Sequence, residues 1–216
     1  MAKNNPLRVA IFDFDDTLFY GQSHSYFLSY IESKLPLLKF LYCKIRKRVV
    51  SKALTDRLNK EFLLEPFKEY SKEKIDNIAY AFYNDVIKKR LCKILLERYF
   101  EHKSNGDMVI IASGGFDVYL KYFEQEYNAD LLISTKLAFQ NNFFTGKIQG
   151  EEALSENKAF MVKSLLVNAK VDWSSSFAYS DHVSDIPLFN LVGNKNLVDI
   201  GQDKSWISSD FKIIKI

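Results

Sequence analysis

The stretch "IFDFDDTLFY", Ile11 to Tyr20, is an apolar run that meets three carboxylates in four positions, Asp13, Asp15 and Asp16, and then turns apolar again. Like charges crowded at the end of a buried segment are costly to desolvate unless a cation or hydrogen bonds offset them. The run itself, "RVAIFDF" from Arg8 to Phe14, is short and apolar on both alternations, which reads as a parallel strand buried on both faces. Its acidic exit is where a ligand is expected.

Outward from that strand the pattern changes. Between Ser23 and His102 apolar residues recur at spacings of three and four, no glycine follows Gly21 until Gly106, and Pro36 and Pro66 punctuate the run. This predicts helices over roughly 23–33, 37–60, 72–87 and 88–102. A second strand (108–112) leads into "SGG", followed by a helix over 116–127, a third strand in "ADLLIST" and a hairpin turning at Asn141-Asn142. A helix over 155–168 with Ser155 as N-cap, strands in "SSFAYSD" and "KNLVDI", and an edge at "FKIIKI" complete the chain. Strands alternating with helices predict an α/β fold, a Rossmann-like parallel sheet core with a helical cap inserted after the first strand. The expected division is a core of residues 1–20 and 90–216 and a cap of residues 21–89.

Composition narrows the functional classes. The chain has 216 residues, 47% hydrophobic and 26% charged, as in an ordinary globular protein. Aromatics reach 15% but are spread along the chain rather than grouped with cations, so they read as core packing and not as a base-stacking platform. No apolar run approaches the ~20 residues of a membrane span, and the acidic "FDFDD" replaces the apolar stretch of a signal peptide, so a cytoplasmic location is expected. Cys43 and Cys92 show no metal or CxxC spacing and read as reduced, semi-buried thiols. His24, His102 and His182 have no ligand spacing either and are expected at the surface or in loops. Charge is uneven: residues 21–90 hold 15 Lys and Arg against 8 Asp and Glu, while the remainder holds 15 against 19. The excess peaks at "KIRKRVVSK", which reads first as a solvated helix face. No motif for RNA or DNA accompanies it, and nucleic acid is not expected as a partner.

Four clusters fall where such sheets bind ligands, beyond strand exits or at helix starts: Asp13 and Asp15, then Ser113-Gly114-Gly115, Lys158, and Asp181 with Asp185. The ordered set "DFDDT" (13–17), "SGG" (113–115), Lys158 in "ENKAF" and "SDHVSD" (180–185) resembles the haloacid dehalogenase-like superfamily of aspartate-nucleophile phosphatases. The helical insertion, "ASGGF" and the "FFTGKI" hairpin look most like its phosphoserine phosphatase branch.

The residue types suit that chemistry. A phosphate monoester is a dianion that repels nucleophiles, so its hydrolysis needs a metal, a fixed cation and an anionic nucleophile in line. Asp13 is expected as the nucleophile, forming an aspartyl-phosphate, and Asp15 as general acid and then base. The resemblance also makes Asp13 and Asp15 Mg²⁺ ligands, the latter through its backbone carbonyl. Asp181 adds a carboxylate to the oxygen-rich set Mg²⁺ prefers, and Asp185 serves as a ligand through water or orients Lys158. Ser113 is expected to hydrogen-bond the phosphoryl, Gly114 and Gly115 to let backbone N–H groups approach it, and Lys158 to neutralise its charge. Asp16 is expected to face solvent or cap the turn, and Thr17 to fix the loop.

Specificity falls to whatever covers the leaving group. Phosphoserine phosphatases generally carry a glutamate nine positions after the nucleophile, where this chain has Gln22. A neutral amide is a weaker partner for an ammonium, so Gln22 and His24 point to a hydroxyl-rich or uncharged small phosphorylated metabolite. Phosphoserine phosphatase proper, and a phosphotransferase built on the same aspartate, are the alternatives. "LPLLKFLYCKIRKRVV" reads as a cap helix packed on its neighbours, and its basic, apolar spacing also suits an anionic membrane surface.

Overall fold

The computed structural model describes residues 6–49 and 56–216. A seven-stranded sheet runs in the order β4-β3-β2-β1-β5-β6-β7, with every neighbouring pair parallel except the antiparallel β3–β4. The strands are β1 (Val9–Phe12), β2 (Met108–Phe116), β3 (Leu131–Gln140), β4 (Phe143–Gln149), β5 (Phe177–Ser180), β6 (Asn194–Asp199) and β7 (Phe211–Lys215). The expected α/β class and parallel core are therefore present, and "FKIIKI" does close an edge.

Burial on both faces of β1 explains its unbroken apolar sequence. Val9 and Ile11 pack with Ile110, Ala112, Val162 and Leu188, on the side of α7 (Ser155–Leu165) and α8 (Ile186–Phe189). Ala10 and Phe12 face the other way, toward Leu95 and Tyr99 of α5 (Lys93–Ser104) and Phe123 of α6 (Asp117–Tyr127). The largest fully buried side chains are all Phe or Tyr, so the aromatic excess is core packing as expected. The β3–β4 hairpin turns at Asn141 and Asn142, with φ of 50° and 65°, the left-handed pair that a two-residue turn demands.

Between β1 and α5 lie α1 (Ser23–Ser33), α2 (Leu37–Val49), α3 (Asp56–Leu64) and α4 (Lys72–Phe82). Phe27, Phe82 and Tyr119 form a ring cluster that ties α1 and α4 to α6. Arg57 donates to the Gly150 and Ile148 carbonyls while Glu61 accepts from the Ile148 N–H, which clips α3 to the end of β4.

Several sequence expectations need correction. Of the helix expected over 37–60, residues 50–55 lie outside the described residues, and α3 continues to Leu64. The helix expected over 72–87 loosens into a π-helical turn at Tyr83–Ile87, and α5 begins at Lys93 after a 3-10 turn at Lys88–Arg90. Ser155 is not an N-cap: it has a φ of 50°, and Leu154 occupies the cap position without a side-chain bond. His102 is not at the surface; it is buried between Asp107 (Nδ1 to Oδ2, 2.7 Å) and the Tyr179 hydroxyl (2.8 Å). Both cysteines are free thiols and fully rather than half buried.

Candidate active site

The chain leaves β1 toward β2 on one side and returns to β5 on the other, so β1 and β5 flank the point where the direction of winding reverses. In open parallel sheets that is where a crevice forms beyond the strand ends. The Asp13 N–H donates to the Tyr179 carbonyl at 2.9 Å, which brings Asp13, leaving β1, and Asp181, leaving β5, to the same edge. A cleft of about 600 Å³ opens there, lined by Asp13, Asp15, Gly114, Lys158, Asp181 and Asp185 from the sheet side. Gln22, His24, Leu28, Asn59, Lys60 and Leu63 line it from the helical side.

Lys158 answers the problem of desolvated charge. Its Nζ donates to Asp185 Oδ2 at 2.7 Å and lies 3.1 Å from Asp13 Oδ1, with all three side chains buried. Burial by itself would lower the lysine, but the Asp13 and Asp185 carboxylates outweigh it and hold the ammonium above its ordinary range. Asp185 Oδ2 also accepts from Ser180 Oγ at 2.6 Å, while its Oδ1 is buried without a partner among the described residues. Burial pushes the Asp13 carboxyl well above the usual range; Lys158 opposes this, and Asp185, Asp181 and Asp15 add to it. Asp181 is pushed up to about 7, first by burial and then by the nearby Asp16 carboxylate. One lysine therefore does not balance this set.

The turn after β1 is built from its own side chains. Asp16, at φ 51°, accepts from the Gly21 N–H (2.9 Å) and from Gln22 Nε2 (2.7 Å), so it caps the turn. Asp15 Oδ1 accepts from the Ser23 N–H at 2.8 Å at the start of α1, and its Oδ2 lies 4.0 Å from His24 Nδ1. Thr17 is wholly buried; its N–H closes the turn onto the Phe14 carbonyl, and its hydroxyl has no partner among the described residues.

The "SGG" segment is the bulged end of β2, where its register with β3 shifts between Ser113 and Phe116. Ser113 is wholly buried and is not among the residues that line the cleft; its Oγ accepts from the Gly115 N–H at 3.0 Å. A Cβ at Gly114 would stand 2.3 Å from Leu154 Cδ2, and one at Gly115 would stand 2.8 Å from Ser23 Oγ and 2.9 Å from the Tyr119 hydroxyl. Gly114 lines the cleft, whereas Gly115 packs against the Ser23–Tyr119 hydrogen bond (2.8 Å).

The donor set can be tested against Mg²⁺ from these residues alone. Among the described residues no three His, Cys, Asp or Glu side chains form a ready-made cage. Mg²⁺ does not require one, because it keeps several waters and takes one or two carboxylates beside a substrate phosphate. Hard carboxylate oxygens with unbalanced charge, and the orphaned Asp185 Oδ1, fit such an ion.

Sequence reasoning missed Lys60, Asn59, Leu63 and Leu28, which reach the cleft from α3 and α1. Lys60 is buried and its Nζ donates to Glu152 Oε1 at 2.5 Å. No local signal marked it, since it is one of many lysines at helical spacing.

A buried lysine bridging two carboxylates at the reversal point of a parallel sheet is the candidate active site. Residues 10–190 match the haloacid dehalogenase-like hydrolase family, and the chain belongs to it. Phosphoserine phosphatase SerB1 of Mycobacterium tuberculosis is 21% identical over 220 residues, covering 95% of this chain and 71% of its own length. A phosphoserine phosphatase of Methanocaldococcus jannaschii is 24% identical over 95 residues, 44% of this chain and 45% of its own. A solved protein of unknown function from Bordetella pertussis superposes with a TM-score of 0.76 at 21% identity, covering 90% of this chain and 91% of that one. A phospho-aspartyl intermediate analogue of phosphoserine phosphatase gives 0.63 at 19%, covering 90% and 87%.

Proposed function

We propose that this hydrolase is a Mg²⁺-dependent phosphomonoesterase that works through an aspartyl-phosphate on Asp13. The observation that carries the reading is the buried Lys158, within 3.1 Å of Asp13 and 2.7 Å of Asp185 on the wall of the cleft. It holds the nucleophilic carboxylate at a fixed orientation and supplies a permanent positive charge beside the phosphoryl oxygens.

Asp13 attacks phosphorus, the phosphorus–oxygen bond to the leaving group breaks, and Asp15 gives that oxygen its proton. Asp15 then takes a proton from the water that hydrolyses the aspartyl-phosphate, which returns Asp13 as a carboxylate and releases phosphate. The Ser23 N–H holds Asp15 Oδ1 and leaves Oδ2 for proton transfer, with His24 beside it. Ser113 and the Gly114 backbone form the phosphoryl seat, and Ser180 holds Asp185 against Lys158. Asp13, Asp181 and the Asp15 carbonyl would hold the ion, with Asp185 behind them. Mg²⁺ supplies charge neutralisation of the phosphoryl group when bound.

Residues 21–89 act as a cap over the leaving group. Gln22 spends its amide N–H on Asp16, and Lys60 is neutralised by Glu152, so among the described residues the helical side of the cleft offers hydrogen-bonding groups and no unpaired carboxylate for an ammonium. This favours a small, hydroxyl-rich phosphorylated metabolite over phosphoserine. The two buried free thiols suit a cytoplasmic setting. Hydrolysis of an aryl phosphate with and without Mg²⁺, beside Asp13→Asn, tests the chemistry: metal-independent turnover, or turnover that survives the substitution, defeats it. A panel of phosphate esters tests the substrate, and selective turnover of phosphoserine overturns the inference from Gln22.

A further inference from the structure

Among the described residues, α2 packs on the rest of the protein by one face. Cys43 is buried, Arg46 donates to the Phe62 carbonyl, and Lys47 pairs with Glu32 at 2.9 Å. The opposite face is apolar and open: Leu37 is 70% exposed, Leu38 84%, Leu41 47%, Tyr42 47% and Ile45 60%. At 100° per residue these five side chains fall within about 140° of arc, a continuous stripe rather than scattered surface leucines. Exposed stripes of this kind mark interaction surfaces. Lys44 and Arg48 border it, both exposed and neither with a carboxylate partner among the described residues.

We propose that this face docks on an anionic lipid surface, with Leu37, Leu38, Leu41 and Ile45 entering the headgroup–acyl boundary and Lys44 and Arg48 engaging lipid phosphates. The charge pattern selects the occupant. α2 has no Asp or Glu, so a second copy seated on the same stripe would offer Lys44 and Arg48 no carboxylate from the facing α2. A nucleic acid would use the cations and leave five apolar side chains in water. A lipid interface satisfies both sets at once. The helix is too short to do more than lie on the surface, and no helix among the described residues is long and apolar enough to cross a membrane. The inference stands on the exposed stripe and does not depend on the hydrolytic reading.

Vesicle co-sedimentation of the full chain tests it, comparing phosphatidylcholine alone with phosphatidylcholine mixed with phosphatidylglycerol. The expected result is partitioning to the mixed vesicles that weakens with salt. Replacing both cations (Lys44→Ala with Arg48→Ala) lowers it by roughly an order of magnitude, and Leu38→Glu with Ile45→Glu abolishes it. Leu38→Ser with Ile45→Ser, checked for unchanged circular dichroism and melting, provides a variant that keeps the fold and loses most of the binding. Absence of partitioning to anionic vesicles overturns the proposal, as does binding undiminished in the folded serine variant. A dimer in sedimentation equilibrium that the same substitutions dissociate, without vesicle binding, also overturns it and assigns the face to self-association.

Discussion

The Lys158 ammonium lies 2.7 Å from Asp185 Oδ2 while also reaching Asp13 Oδ1, so one buried cation serves two buried carboxylates from opposite ends of the chain. Ser180, at the end of β5, fixes Asp185 from the other side. The position of Asp13, the proposed nucleophile, is thus set before any substrate arrives.

Lys158→Met removes that cation and leaves Asp13 and Asp185 uncompensated. Turnover of an aryl phosphate should fall by about 10²–10³, and removing one partner from a buried ion pair should cost about 3–5 kcal/mol of stability. Because carboxylates can escape by taking protons, the stability loss should be smaller at acidic pH than at alkaline pH in chemical denaturation. A variant with near wild-type kcat removes Lys158 from the proposed chemistry.

Asp13→Asn separates catalysis from folding. Burial, helped by Asp185, Asp181 and Asp15, outweighs Lys158 and disfavours the ionised Asp13, so an isosteric amide should raise the melting temperature of the metal-free protein while abolishing turnover. A variant that is inactive and also clearly less stable would show that Asp13 has a structural role instead.

The metal-ligand role proposed for Asp181 ties metal binding to pH. Its folded value of about 7 lies above the ordinary 3.8, so between them the metal-free folded state binds more protons than the unfolded chain. Metal-free stability should therefore fall as pH rises from about 4 to about 7. A metal ion requires the deprotonated carboxylate, so Mg²⁺ should raise the melting temperature more at pH values above this window than below it. Equal shifts on both sides remove Asp181 from the metal site.

Lys60 and Glu152 are a buried pair joining α3 to the chain beyond β4. Lys60→Met alone should cost about 3–5 kcal/mol by stranding Glu152, while Lys60→Met with Glu152→Leu should recover most of it. Equilibrium unfolding of the two singles and the double gives the coupling. Additive losses would mean that the pair does not hold α3 in place.

Much of the site was legible in the chain itself because the constraints are local. Asp13 and Asp181 each close a short apolar strand that burial on both faces demands, and "SGG" stands out as a glycine pair at the exit of another such strand. Parallel strands put such exits at one edge, so order along the sequence was enough to group them. Helix ends were less legible, since Ser155 carries the N-cap chemistry but sits at φ 50° on the cleft wall instead.

What the amino-acid order determined by itself was the alternation of strands and helices, the position of the acidic exits and the charge excess of the inserted helices. Only the tertiary structure decided which faces were covered. His102 is buried because Asp107 and Tyr179 converge on it, Lys60 reaches the cleft because α3 is clipped to β4, and Leu38 stays exposed because nothing among the described residues packs over that face of α2. Periodicity reports that a helix has an apolar side, whereas coverage depends on partners remote in the chain, and those contacts leave no mark on either local sequence.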